Sequence, residues 1–171
     1  MVILSFLVFA FGYLAAGTKI PLRYGDAISL AQLTDQGVFY SLGIANDASG
    51  KAAIGGWKSD TLSKLSIPLD TKLYIQPGQA ATRWGPDGVA VKYGDLVRLE
   101  FAGLASTNTP CWLGYDFSSG SESVAAQIIP QTIDFSQNPN LGITFKIVRA
   151  KNLDATADNV CVGDQIALCY P

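Results

Sequence analysis

An all-β fold is what the sequence predicts, on three observations. A short phrase recurs at a fixed spacing: Tyr24-Gly25-Asp26-Ala27-Ile28-Ser29-Leu30 returns as Tyr93-Gly94-Asp95-Leu96-Val97-Arg98-Leu99. It returns again as Val162-Gly163-Asp164-Gln165-Ile166-Ala167-Leu168, each time 69 residues on. A constant period of this kind marks one structural unit used repeatedly. In each copy Gly-Asp supplies a tight turn, since Gly tolerates positive φ and Asp bonds its own backbone. The residues that follow alternate apolar and polar, as a half-buried strand does. Finally, 17 Gly and 8 Pro are spread along the chain, the punctuation of many short strands.

The elements follow in order around the repeat. In the first unit, Asp26–Leu30 and Val38–Gly43 are expected strands, turned by Gln36-Gly37. Asn46-Asp47-Ala48-Ser49-Gly50 is a turn, Lys51–Gly55 a third strand and Lys72–Gln76 a fourth. Pro86-Asp87-Gly88 then leads into the second unit, with strands at Asp95–Phe101, Cys111–Tyr115, Ser123–Ile128 and Ile143–Val148. The third unit shows only its first strand, Asp164–Tyr170, making nine in the body. No long amphipathic helix competes with them.

A strand of the form V-x-Y-G-D-x-V-x-L followed by an aromatic-Leu strand resembles the β-trefoil repeats of MIR and fascin-like domains. Val91 to Leu99 and Trp112-Leu113 carry the resemblance best. It implies a β-trefoil-like body, here with an incomplete third repeat, used for protein or glycan contacts or as a scaffold and without catalysis. A two-sheet β-sandwich is the alternative all-β arrangement.

Before the body lies Val2 to Gly17, an uncharged apolar run. Three readings compete: a membrane helix near the lower length limit for spanning, a signal peptide ending at Ala15-Ala16-Gly17, and an element packed in the core. The anchor is the expectation, as one helix over 2–17. It divides the chain into a hydrophobic segment, 1–18, and a single β domain, 19–171. Lys19 and Arg23 follow the run, so the positive-inside rule places the body on the cytoplasmic side.

Composition narrows the chemistry. The 171 residues suit one domain, 49% are hydrophobic and only 15% charged. A net charge of -2 without a basic stripe offers nothing to nucleic acid. The chain has no histidine, which removes Ser-His-Asp and Cys-His nucleophiles and His-ligated metals. Its three cysteines, Cys111, Cys161 and Cys169, read as buried thiols, with a Cys161–Cys169 bridge conceivable across the Gly163-Asp164 turn. There is no Asn-x-Ser/Thr acceptor.

Several motifs invite a functional reading. Gly43 to Gly50-Lys51 fails as a phosphate loop, because six residues separate the glycines and Ala52 follows the lysine. Asp26, Asp95 and Asp164 could share a metal, but the turn each repeat requires explains them better. No catalytic residue, cofactor or metal is expected. Trp57 and Trp84, near turns, are the candidate contact residues, while Trp112 reads as core. Gly25, Asp26, Gly94, Asp95, Gly163 and Asp164 are the repeat turns.

The expected function is a non-enzymatic structural protein, a membrane-anchored β module docked to neighbouring subunits. In this it is similar to minor capsid proteins of large DNA viruses with an internal membrane. A secreted or surface glycan-binding module with a signal peptide is the alternative. The unfinished third repeat predicts an open β edge covered by a neighbour.

Overall fold

The computed structural model describes residues 4–10, 19–33, 39–46, 52–59, 72–78, 88–101, 111–117, 125–151, 153 and 158–171. Among them all regular structure is β, in antiparallel pairs. The strands are β1 (Leu4–Ala10), β2 (Ala27–Leu33), β3 (Phe39–Asn46), β4 (Ala52–Ser59), β5 (Leu73–Pro77) and β6 (Leu96–Phe101). They continue as β7 (Cys111–Asp116), β8 (Ala125–Pro130), β9 (Leu141–Gly142), β10 (Phe145–Arg149) and β11 (Gln165–Cys169). Each of the nine expected body strands is present. Two were not expected: the short β9, which pairs with β7, and β1.

The expected N-terminal helix is corrected by β1. Leu4–Ala10 is a strand paired on one side with β11 (Leu4↔Leu168) and on the other with β2 (Ala10↔Ile28). The remainder of the 2–17 segment lies outside the described residues. No helix among the described residues is long and apolar enough to cross a membrane. An apolar segment without period-2 alternation is legible as either element. The two open edges of β11 and β2, whose backbone groups need partners, decide for a strand.

The pairings close on themselves. β1 pairs with β2, β2 with β5, β5 with β6, β6 with β10, β10 with β11, and β11 with β1. Within this ring β1 holds the place that β5 and β10 hold in the first two units. Each of the three joins the opening strand of one unit to that of the next. The hairpins β3–β4 and β7–β8 continue from β2 and β6. No such hairpin extends from β11 among the described residues.

Alternation along the ring strands sets the core. Ile28, Leu30, Leu73, Ile75, Val97, Leu99, Phe101, Phe145, Ile147, Ile166 and Leu168 belong to one buried cluster. Burying side chains of this kind contributes roughly 1.5–3 kcal/mol each, before conformational entropy is subtracted. Leu22, Val91 and Val160, spaced by the 69-residue period, are all fully buried in the same cluster. Their backbones form a closed three-fold circuit: Leu22 N–H donates to Val160 O (2.7 Å), Val160 to Val91 (2.8 Å) and Val91 to Leu22 (2.8 Å). Equal spacing in sequence has become rotational equivalence in space.

The conceivable Cys161–Cys169 bridge does not form; all three thiols are free and buried. The strand that follows the Gly163 turn pairs with β10 and β1, which carries Cys169 away from Cys161. Cys169 instead packs with Val148 and Ala167.

Candidate functional site

The three Gly-Asp turns are built alike. Gly25, Gly94 and Gly163 have φ of 89°, 95° and 85°, the left-handed region where a Cβ would be strained. Each aspartate Oδ2 accepts the backbone N–H three residues earlier: Arg23 to Asp26 (2.8 Å), Lys92 to Asp95 (2.9 Å) and Cys161 to Asp164 (2.9 Å). This local side-chain-to-backbone bond explains the recurring aspartate without invoking a ligand.

A second bond at these turns joins one unit to the next. Tyr24 donates its hydroxyl to Asp95 Oδ2 at 2.8 Å, and Tyr93 donates to Asp164 Oδ2 at the same distance. The third seam, between the last unit and the first, has Val162 where the others have tyrosine, so among the described residues Asp26 receives no phenol. Two seams are latched and one is not. The sequence shows the signal, since Tyr precedes Gly-Asp in two copies of three, but the reach into the next turn appears only in three dimensions. Arg149 supports the second latch: its guanidinium lies 4.2 Å from the centre of the Tyr93 ring and pairs with Asp158 at 3.0 Å.

The chemistry of the latches is structural. Burial, then the hydrogen bond and the charge of the partner carboxylate, push the Tyr24 and Tyr93 hydroxyls well above the ordinary 10.0. Neither phenol is a base at neutral pH, and both carboxylates are committed to donors. No group of three His, Cys, Asp or Glu able to hold a metal occurs among the described residues.

The raised phenols predict an alkaline limit to stability. In the folded protein they stay protonated through the range in which the unfolded chain ionises them, so their contribution is complete below pH ~10 and falls as pH rises from there. Denaturant midpoints measured from neutral to alkaline pH should drop steeply above that value. In Tyr93→Phe the drop should be shallower, from a lower starting stability; an unchanged alkaline slope would refute the assignment.

A polar layer missed in the sequence lies on the other face of β5 and β6. Gln76 and Glu100 are buried, and among the described residues neither amide atom of Gln76 has a hydrogen-bond partner. Arg98, opposite Gln76 in register, donates to Pro77 O at 3.2 Å and stacks its guanidinium 5.0 Å from the centre of the Trp112 ring. Desolvation lowers the Arg98 pKa and the nearby Glu100 opposes that effect. Sequence alternation marked these residues as outward-facing, but not that their face would be covered.

Of the candidate contact residues, Trp57 lies on β4 in register with Ser41, and Trp84 falls outside the described residues. Trp112 is buried. No protein-family model, curated protein or solved structure matches the chain.

Proposed function

We propose that this chain is a non-enzymatic structural module of β-trefoil type whose role is to dock neighbouring proteins in an assembly. The observation that carries the reading is a pair of partly buried aromatic rings at the ends of β11 and β7. Tyr170 and Phe117 pack edge to face at 5.0 Å, and both are only partly buried. Partly buried aromatics packed edge to face at the ends of strands suit a protein contact.

The non-enzymatic part of the reading is supported by the turns. Their carboxylates, the most regular polar feature of the chain, are held by backbone and phenol donors. The docking part of the reading stands without a membrane tether, because Leu4–Ala10 serve the ring.

Sedimentation velocity on the full chain tests the proposal. Association at micromolar concentration is expected, with a specific contact burying at least ~1,000 Å² in total. Tyr170→Ala should weaken it tenfold or more in a chain that still folds, its unfolding midpoint lowered by the lost packing on Phe117. A chain that stays an inert monomer, and captures no protein partner through this surface, overturns the assembly reading.

A further inference from the structure

We infer that β1 is an exchangeable strand, and that a second copy of this chain can supply it to the slot between β11 and β2. This deepens the assembly reading and rests on it, since it names the partner and the contact.

The slot is specific. β11 and β2 both present backbone groups toward β1, in the registers Ser5↔Ala167 and Val8↔Leu30. Any occupant must be an extended segment that pairs antiparallel on both sides. Within the monomer the occupant is this chain's own LSFLVFA segment, so a second copy carries an identical match. No new complementarity is required.

The seam also differs from the other two in its side-chain bonds. The Tyr24–Asp95 and Tyr93–Asp164 latches hold the first two seams, and Val162 leaves the third without one. Closure there joins Leu4 to Leu168, the longest sequence separation among the ring pairings. Contacts of that separation form late, because loop closure must be accomplished before they stabilise anything. Until β1 docks, β11 and β2 are open edges of the kind that recruit strands from other molecules. The chain's own β1 has the advantage of a high effective concentration, so exchange is expected when chains refold together at comparable, roughly millimolar, concentration.

The test places cysteines at the register pair Ser5 and Ala167, in full-length chains whose native cysteines are replaced by alanine. Antiparallel partners lie about 4.5–5.5 Å apart between Cα atoms, within disulfide reach. Chains carrying Ser5→Cys alone and chains carrying Ala167→Cys alone are refolded together and oxidised. Disulfide-linked dimers are expected, and adding Val162→Tyr, which supplies the missing phenol for Asp26, should lower their yield severalfold. The double variant, refolded dilute, should close within one chain.

If the double variant closes and the mixture yields no linked dimer at any concentration, exchange is overturned while the place of β1 stands. If the double variant does not close either, the slot itself is refuted. Dimers that sediment together but never cross-link would also overturn exchange, while leaving assembly through another face. Should the alanine background not fold, isotope-labelled and unlabelled wild-type chains refolded together provide the second measurement. Mixed dimers that persist on dilution to nanomolar support exchange, and dimers that separate at once refute it.

Discussion

Removing residues 1–10 should unfold the domain. β1 is one of six strands in a closed ring and, among the described residues, the only element pairing β11 to β2. Its loss breaks the ring and leaves two strand edges unpaired. It also uncovers the sector of core near Ile28, Leu30, Ile166 and Leu168, all nearly inaccessible in the intact protein. Exposing four such side chains even in part costs several kcal/mol, and a small domain has only about 5–15 kcal/mol in total. The truncated chain should lose its cooperative denaturant transition and aggregate, and circular dichroism with a urea titration reads this directly. A truncated chain that is soluble and unfolds at the full-length midpoint would return the segment to the anchor reading and remove β1 from the fold.

The body was legible because its signals were local and repeated. Gly25, Gly94 and Gly163 each needed positive φ, and a Gly-Asp pair before an alternating run is a turn entering a strand whatever surrounds it. The nine body strands follow from that grammar. β1 was not legible, because Leu4–Ala10 has neither alternation nor a turn signal, and its conformation is dictated by the edges of β2 and of β11, the latter more than a hundred residues away. Composition alone favoured a helix in lipid; pairing demanded a strand. The site was half legible. The aspartates were visible as turn residues, but their second role depends on Tyr24 and Tyr93 reaching across 71 residues of sequence. Val162 looked like a loss of aromatic character, and its consequence, an unlatched seam, emerges only when the units are arranged in a ring.

Asp95→Ala should destabilise the protein far more than Asp26→Ala, although both residues occupy the same place in the same turn. Asp95 Oδ2 accepts the Lys92 N–H and the Tyr24 hydroxyl, whereas Asp26 Oδ2 accepts the Arg23 N–H and no phenol. Hydrogen bonds to a charged acceptor contribute about 1.5–3 kcal/mol when the site is not fully solvated. Removing Asp95 loses two of them and strands the buried Tyr24 hydroxyl, for an expected cost of about 3–4 kcal/mol. Asp26→Ala loses one exposed turn bond, about 1 kcal/mol. Asp164→Ala should resemble Asp95→Ala, because Asp164 accepts both the Cys161 N–H and the Tyr93 hydroxyl. Equilibrium urea unfolding of the three variants decides the matter, and a double-mutant cycle with Tyr24→Phe isolates the phenol contribution. Equal losses at all three aspartates would mean that the turns alone matter and the latches contribute nothing. Large losses at Asp95 and Asp164 with a small one at Asp26 would locate the weak seam at Val162, where β1 closes the ring.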